Sequence, residues 1–181
     1  LCLQDKVDII IGSHTPETVS PVASSAERSS IPCVTVDAPG EAWLEGGPYE
    51  WCFHAWWKVD SLIDAFFDAF DKFETNKKIG YALGNDTDGV LFSRIMSEKA
   101  PERGYTIIDP GRFPDGTKDF TSLISEFKKN GCDIIYGNMK TPDFTTLFKQ
   151  FKQQNYTPKM LGISKALLFP TDVEAMGENL G

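Results

Sequence analysis

Short apolar runs alternate along the chain with segments of helical period. Six runs are four or five residues long, and most show no alternation of apolar and polar positions. Uninterrupted apolar runs of this length are typical of strands that are buried on both faces. They predict strands at residues 7–11, 33–36, 79–83, 106–109, 133–136 and 159–162.

The clearest helical pattern covers residues 61–74. Its large apolar side chains, with Phe73 as the last, recur every three or four positions, and Asp64, Asp68 and Asp71 occupy the opposite face. This acidic face has two interpretations, a paired-carboxylate site or a solvated helix surface, and the second is favoured. Similar patterns predict helices at residues 15–29, 88–99, 119–130 and 141–151.

Two of these helices carry end signals. Asp119 and Thr141 are predicted N-caps, because their side-chain oxygens can accept hydrogen bonds from the free N–H groups of a first turn. Pro142 follows Thr141 at a position where no N–H is needed. The pair Asn130-Gly131 predicts a left-handed stop.

Strands and helices alternate with little between them, which is the βαβ pattern. It predicts an α/β fold in which parallel strands are joined by right-handed crossovers. Residues 37–59 interrupt the alternation, since they contain three glycines, two prolines and all four tryptophans without a clear period. An irregular segment of this length is either functional or a crossing between domains.

We therefore place a domain boundary near Asp60. Residues 1–60 would hold two strands and one helix, too few to enclose a core, and are predicted to be an incomplete N-terminal lobe. Residues 61–176, with four strands, are predicted to form a nearly complete second lobe. Residues 177–181 would begin a return crossing to the first lobe.

The charge balance narrows the range of partners. With 26 acidic and 18 basic residues the chain has a net charge of -8 and repels phosphate backbones, so nucleic acid is not an expected partner. No apolar run is long enough to span a membrane, so direct membrane insertion is not expected either. The sequence starts at Leu1 without a signal-peptide pattern, and we interpret this start as a cut.

The four cysteines, Cys2, Cys33, Cys52 and Cys132, are widely spaced. The absence of a CxxC pair gives no support to a zinc or thioredoxin-like site. Cys33 and Cys132 fall beside apolar runs and are predicted to be small buried side chains. No metal and no cofactor are predicted.

In parallel α/β sheets, ligands bind beyond the carboxyl ends of the strands. The loops that follow the six predicted strands are short, polar and rich in hydrogen-bonding groups, so they are the candidate binding site. These loops are residues 12–15, 37–39, 84–88, 110–112, 137–140 and 163–165.

Enzymatic chemistry has little support in the sequence. His14 and His54 are the only histidines, and no GxSxG, Walker or GxGxxG pattern occurs. His14 either orients a ligand or is a hydrogen-bonded loop residue. Asp86 and Asp88 resemble a magnesium or phosphoryl-acceptor cluster, but turn and N-cap chemistry is favoured for them. No catalytic residue is predicted.

Several motifs, in order and spacing across almost the whole chain, resemble the branched-chain amino-acid-binding (Leu/Ile/Val-binding) family of ABC transporter solute-binding proteins. Members of that family are longer at both ends, which agrees with an incomplete first lobe and with an internal fragment. The motifs are residues 5–12 (DKVDIIIG), 20–23 (SPVA), 31–35 (IPCVT), 78–82 (KIGYA), 85–89 (NDTDG), 117–124 (TKDFTSLI) and 131–136 (GCDIIY).

The resemblance implies a type I periplasmic-binding-protein fold, in which two hinged lobes hold a small solute. It implies a periplasmic or extracellular location, a membrane permease of an ABC importer as partner, and no enzymatic activity. A ligand-binding receptor ectodomain of the same fold is an alternative, for which Asn85-Asp86-Thr87 and Asn155-Tyr156-Thr157 are glycosylation sequons. An α/β enzyme is the less favoured alternative.

The resemblance also implies positions for the binding site. Hydroxyl and backbone N–H groups of the first lobe would hold a ligand carboxylate, and the N-terminus of a helix near Thr15 would add its dipole. Residues of the second lobe would face them, and two tryptophans could supply an aromatic wall. The implied residues are His14, Thr15, Thr35, Asp37, Ala38, Trp56, Trp57, Asp88, Asn138, Met139, Ser164 and Lys165.

Two positions depart from the pattern of amino-acid-binding members. Asp88 stands where an aromatic residue is usual, and Ser164-Lys165 stands where an acid usually binds the ligand ammonium. A lysine there would repel an ammonium and attract an anion, unless it simply points into solvent. We therefore expect a small carboxylate, aromatic or amino-acid-like, in place of a branched-chain amino acid.

Overall fold

The computed structural model describes residues 2–177. The chain divides into two compact units, Leu1–Leu62 (unit 1) and Ile63–Gly181 (unit 2). The division follows Leu62, close to the boundary predicted near Asp60, and the assignment of the units to two lobes stays a prediction. The predicted return crossing at residues 177–181 lies, apart from Gly177, outside the described residues.

Unit 1 contains a sheet of three parallel strands in the order β1-β2-β3. Its strands are β1 (Ile10–Ile11), β2 (Cys33–Pro39) and β3 (Cys52–Trp57), and its helices are α1 (Pro16–Arg28) and α2 (Gly40–Leu44). Helix α1 packs on one face of the sheet through Val19 and Ala23, which form a buried cluster with Cys33 and Cys52. Those two cysteines are register partners on neighbouring strands.

The prediction of an irregular segment at residues 37–59 is wrong. This segment contains the end of β2, all of α2 and all of β3. Helix α2 has five residues, too few to show a period. Strand β3 mixes a buried Cys52 with an exposed Phe53 and a partly buried His54, so it lacks the continuous apolar run that marked the other strands. Strand β1 is shorter than predicted.

Unit 2 contains a parallel sheet in the order β5-β4-β7-β8, with β6 paired to the end of β4. Helix α3 spans the division between the units. The elements are α3 (Val59–Phe70), β4 (Lys78–Gly84), α4 (Thr87–Lys99), β5 (Thr106–Ile108), β6 (Arg112–Phe113), α5 (Thr121–Asn130), β7 (Ile134–Met139), α6 (Thr141–Gln153), β8 (Met160–Lys165) and α7 (Pro170–Met176). The predicted α/β fold with parallel strands is confirmed.

The unit 2 sheet is covered on both faces. On one face the ring of Tyr136 contacts the rings of Phe66 in α3 and Phe92 in α4, with centroids 4.9 and 6.0 Å apart. On the other face Ile135 belongs to a buried cluster with Phe127 of α5. A Cβ at Gly80 would lie 2.5 Å from Cδ1 of Phe127, so glycine is what lets α5 approach the sheet.

Several helix ends differ in detail from their predictions. The left-handed stop is confirmed, since Gly131 has φ 64°. Thr141 is the first residue of α6 and not its N-cap. Asp119 lies one residue before the N-cap of α5, although its Oδ1 accepts a hydrogen bond from the N–H of Thr121 at 2.8 Å. Helix α3 ends before Phe73, which is exposed.

The acidic face of α3 is not simply solvated. Asp64 lies 2.6 Å from the ammonium of Lys99, and Asp68 lies 2.7 Å from the guanidinium of Arg103. Asp71 accepts hydrogen bonds from the hydroxyl of Tyr105 at 2.8 Å and from Arg103. The Tyr105 hydrogen bond, reinforced by the neighbouring cations, holds the pKa of Asp71 below its ordinary value. The face therefore binds basic groups of unit 2.

Cys33, Cys52 and Cys132 are buried free thiols, as predicted for Cys33 and Cys132. Burial raises the pKa of Cys52 to about 12 and that of Cys132 to about 11, which makes both thiols poor nucleophiles. Among the described residues no three or more His, Cys, Asp or Glu side chains are placed to hold a metal ion. None of the described helices combines the length and the apolar character that crossing a membrane requires.

Candidate functional site

The carboxyl edge of the unit 2 sheet brings four of the implied site residues together. Register pairs Asn138 of β7 with Ser164 of β8, so the two side chains leave the sheet at the same level. Helix α4 starts just beyond the end of β4 and carries Asp88 in its first turn. Lys165 is the last residue of β8 and completes the group.

A charged cluster forms where these elements meet. The ammonium of Lys165 lies 2.7 Å from Oδ2 of Asp86 and 2.8 Å from Oδ2 of Asp88. Lys165 has a left-handed backbone with φ 72°, which is uncommon for a residue with a side chain and is found at functional sites more often than elsewhere. The cluster thus places two carboxylates around one ammonium.

The pKa of Lys165 reflects these contacts. Burial alone would lower it, but the charge of Asp88 and the hydrogen bonds to Asp86 and Asp88 outweigh the burial, and the pKa lies above its ordinary value. Asp86 is also the N-cap of α4, since its Oδ1 accepts a hydrogen bond from the N–H of Gly89 at 2.7 Å. The favoured N-cap interpretation of Asp86 is confirmed.

Both interpretations of Lys165 need correction. Its side chain does not simply point into solvent, because only 26% of it is exposed and it is paired with two carboxylates. It does not offer an unpaired positive charge to an anion either, for the same reason. The sequence could not show this, since Asp86 is 79 positions away.

Asn138 is a buried polar residue of this edge, with 2% of its surface exposed. Its Oδ1 accepts no hydrogen bond from any residue between 2 and 177. Alternate residues of a strand face the same side, so Asn138 faces the same side as Tyr136, whose hydroxyl lies 3.0 Å from Oγ of Ser164. A buried acceptor without a donor costs about 1–3 kcal/mol, which favours a ligand-binding role for it.

Met139 does not join this group. Its side chain is buried in the apolar cluster on the opposite face, with Phe144 and Leu147 of α6. The neighbouring Lys140, at the N-cap of α6, is paired with Asp115, and the hydrogen bond to Asp115 raises its pKa. The Lys140–Asp115 pair is electrically neutral and leaves the charge of the edge unchanged.

In unit 1, the hydroxyl of Thr35 is used inside the protein. Thr35 is fully buried, and its Oγ1 lies 2.7 Å from Nδ1 of His54. Nε2 of His54 lies 3.0 Å from the carbonyl oxygen of Ala38, which can only accept. A neutral His54 therefore carries its proton on Nε2 and accepts from Thr35 at Nδ1. Thr35 thus positions His54 and does not present its own hydroxyl at the surface.

His54 lies within a group of aromatic rings. Its ring centroid lies 5.4 Å from that of Trp43 and 6.0 Å from that of Trp56. The ring of Tyr49 packs on Trp43 at 4.5 Å. Trp56 and Trp57 were predicted to form an aromatic wall, but Trp43 and His54 were not, because only the packing of α2 against β3 brings their rings together.

Asp37 and Trp57 are connected through the backbone. Asp37 has φ 63°, and its carbonyl oxygen accepts a hydrogen bond from Nε1 of Trp57 at 3.3 Å. Neither the carboxylate of Asp37 nor the ring of Trp57 is buried.

The loop between β1 and α1 contains the remaining implied residues. His14 is exposed, and Thr15 is the N-cap of α1. Ser13, which precedes them, has φ 72°, and its buried Oγ has no hydrogen-bond partner within the described part of the chain. Ser13 was in the predicted loop but was not selected as a site residue.

The profile of the periplasmic binding protein family matches residues 1–181. The chain belongs to the periplasmic binding protein family. Members of this family are solute-binding proteins and not enzymes, as the resemblance implied. The type I periplasmic-binding-protein fold is likewise confirmed.

Curated and solved relatives are distant in sequence and close in fold. A Leu/Ile/Val-binding protein homolog of Brucella abortus is 21% identical over 96% of this chain and 45% of its own length. A leucine binding protein from Thermotoga maritima superimposes with a TM-score of 0.81 at 19% identity, over 98% of this chain and 50% of that one.

An ABC transporter solute-binding protein from Rhodopseudomonas palustris, solved in complex with p-hydroxybenzoic acid, superimposes with a TM-score of 0.80 at 18% identity. The match covers 99% of this chain and 49% of that one. The chain therefore spans about half the length of the relatives it matches.

Proposed function

We propose that this chain is part of the extracytoplasmic solute-binding component of an ABC importer and binds a small organic solute. The observation that carries the proposal is the carboxyl edge of the unit 2 sheet. There the buried Oδ1 of Asn138 has no hydrogen-bond partner among the described residues, and the neighbouring strand β8 ends at Lys165 of the charged cluster. A preformed polar edge on a binding-protein fold supports recognition without catalysis.

The proposed solute is a small carboxylate, aromatic or amino-acid-like. The ligands of the neighbouring proteins support this class, because one holds p-hydroxybenzoic acid and another is a leucine binding protein. Lys165 gives no support to this class, because its ammonium is paired with Asp86 and Asp88. The loop of Ser13, His14 and Thr15 is the better candidate for the carboxylate, since the buried Oγ of Ser13, which has no hydrogen-bond partner in residues 2–177, can donate to it.

The location and partner follow from the family and are also proposals. A solute-binding protein of an importer would lie in the periplasm or at the cell surface and would deliver its solute to a membrane permease.

The test is a solute screen on the full-length parent protein by thermal shift and calorimetry. A solute at 100 times its Kd stabilises the folded protein by about 2.7 kcal/mol, which gives a readily measured rise in Tm. We expect 4-hydroxybenzoate or an amino acid other than leucine and valine to be bound and recovered unchanged, and glucose to have no effect. Stabilisation by leucine or valine with none by other organic acids would contradict the proposed solute class. Turnover of a bound solute would contradict the binding-protein role.

A further inference from the structure

We infer that His54 is a positioning residue for solute binding, which holds the loop after β2 through one defined tautomer of its ring. This inference rests on the proposed solute-binding function and adds a residue that sets affinity by acting through its neighbours. His54 lies in β3 and is not among the site residues that the family resemblance implied.

The first step is a break in the ladder between β2 and β3. The register of these strands shifts between positions 36 and 39. Within the break Asp37 has φ 63°, a left-handed conformation that persists only where its surroundings fix it. Two side chains of β3 bind the carbonyl oxygens of this stretch. Nε1 of Trp57 donates to Asp37 at 3.3 Å, and Nε2 of His54 contacts the oxygen of Ala38 at 3.0 Å.

The second step is the position of the proton on the His54 ring. A carbonyl oxygen only accepts, so the hydrogen bond to Ala38 exists only when Nε2 carries a proton. On the other side of the ring, Nδ1 lies 2.7 Å from Oγ1 of Thr35. That hydroxyl is fully buried, and by donating to Nδ1 it favours the tautomer with the proton on Nε2. Thr35 therefore keeps His54 in the form that binds Ala38.

The third step is the fixed plane of the ring. The His54 ring is stacked on the rings of Trp43 and Trp56, with interplanar angles of 16° and 26°. A Cβ at Gly40 would lie 2.5 Å from Cδ1 of Trp56, so the close approach of this ring to the start of α2 depends on glycine. An imidazole packed on two larger rings has little freedom to rotate, and its two nitrogens keep their hydrogen-bond directions.

Preorganisation of the loop at residues 37–39 is what this arrangement contributes to binding. The loop lies at the end of a parallel strand, where a solute is expected to bind. A loop that is ordered before the solute arrives loses less conformational entropy on binding, and the affinity is higher for that reason. Without the hydrogen bond from His54, part of this ordering must come from the solute itself.

The experiment separates the two ring nitrogens by substitution in the full-length parent protein. The amide of glutamine reaches the place of Nε2 and can still donate to Ala38, whereas that of asparagine reaches only the place of Nδ1. We expect His54→Gln to bind the solute within about threefold of the unmodified protein, and His54→Asn to bind it at least about tenfold more weakly. Calorimetry measures both affinities, first with 4-hydroxybenzoate and otherwise with the solute of the screen that stabilises the protein most.

Two further variants distinguish positioning from a structural role. His54→Phe keeps a stacked ring without either nitrogen and should weaken binding as much as His54→Asn. Lys149→Met, at an exposed lysine of α6, is the control and should leave the affinity unchanged. Urea unfolding measures the stability of each variant separately. If the affinities of the His54 variants follow their stabilities and not the presence of a donor at the place of Nε2, the role of His54 is structural and the inference is wrong.

Nitrogen-15 NMR of the histidine rings tests the tautomer without any solute. At a mildly alkaline pH, we expect the His54 ring, assigned through its own backbone, to carry a proton on Nε2 and none on Nδ1. A proton on Nδ1 in the unmodified protein would overturn the inference, since this ring could then donate nothing to Ala38.

The outcomes separate the two proposals. If a solute binds equally to the unmodified protein and to His54→Asn, the positioning inference is wrong and the solute-binding proposal stands. If no member of the screen binds, the proposed function is wrong and this inference falls with it. Because the ring spectrum is recorded on the unmodified protein, failure of a variant to fold does not remove the test.

Discussion

The two sheets of this protein differ in how completely the described residues cover them. The unit 2 sheet packs Tyr136 against aromatic rings of α3 and α4 on one face and Ile135 against α5 on the other. For the unit 1 sheet, the residues from 2 to 177 show a buried cluster on one face. On its opposite face Ile11, Val34 and Phe53 are register partners in a row, and Ile11 and Phe53 are 76% and 61% exposed.

The difference shows that a continuous apolar run predicts a buried strand but does not tell which part of the protein covers it. Parallel strands are normally covered on both faces. In unit 2 the helices of the same unit supply both layers, whereas in unit 1 the described residues supply one. Unit 2 is therefore expected to carry most of the folding free energy of the described chain, and the exposed face of unit 1 little of it.

The largest change in stability is expected from a substitution in the core of unit 2. Phe127→Ala removes a fully buried ring from α5 and should lower the free energy of unfolding by about 3–5 kcal/mol. Urea unfolding followed by far-UV circular dichroism measures the change. Phe73→Ala, which truncates an exposed ring just after α3, is the matched control and should change stability by no more than about 0.5 kcal/mol. Equal costs for the two variants would contradict the assignment of the core.

An intermediate effect is expected from a substitution on the acidic face of α3. Asp71→Asn should cost about 1 kcal/mol at pH 7, because the partly exposed carboxylate loses its charge toward Lys77 and Arg103. The folded-state pKa of Asp71 is lowered, so its stabilisation is present above the unfolded-state value of about 3.9 and is lost as pH falls through the folded-state pKa.

Thermal unfolding of Asp71→Asn and the unmodified chain at several pH values checks this sign. The two Tm values should differ at pH 7 and converge as the pH falls below the folded-state pKa of Asp71. A difference that grows on acidification would show that the carboxylate is not stabilised by these partners.

The smallest change in stability is expected from a substitution on the exposed face of the unit 1 sheet. Phe53→Ala should change stability by about 0.5 kcal/mol or less in this chain, since most of the ring is already in contact with water. All four tryptophans lie in unit 1, so tryptophan fluorescence during urea unfolding reports on this unit. A loss as large as that of Phe127→Ala would mean that this face is covered, and the contrast between the two sheets would not hold.

Much of the fold could be predicted from particular residues. The continuous apolar runs of unit 2 predicted β4 and β7 because both are buried on both faces. The left-handed stop at Gly131 followed from local chemistry alone. Strand β3 was not predicted, because it lies in a sheet with one covered face and lacks the continuous apolar run that marks β4 and β7.

The candidate site was predictable in position but not in chemistry. The rule that ligands bind at the carboxyl ends of parallel strands selected the loops at 84–88, 137–140 and 163–165. The family resemblance selected Asp88, Asn138 and Ser164 within them, and the structure brings these three to one edge. The partners of Lys165 could not be predicted, because Asp86 and Asp88 lie about 80 positions away in the chain. Thr35 and Met139 were selected by position along the chain, and their side chains are buried elsewhere.

The sequence by itself determined the alternation of strands and helices, the parallel α/β fold and the edge at which polar residues gather. These features depend on residues a few positions apart, whose apolar period and turn chemistry can be read directly. Only the tertiary structure decided that Lys165 is neutralised by Asp86 and Asp88 and that Asn138 is left with a buried acceptor. Such pairings depend on strand order and register, which bring together residues about 80 positions apart and which a local pattern does not specify.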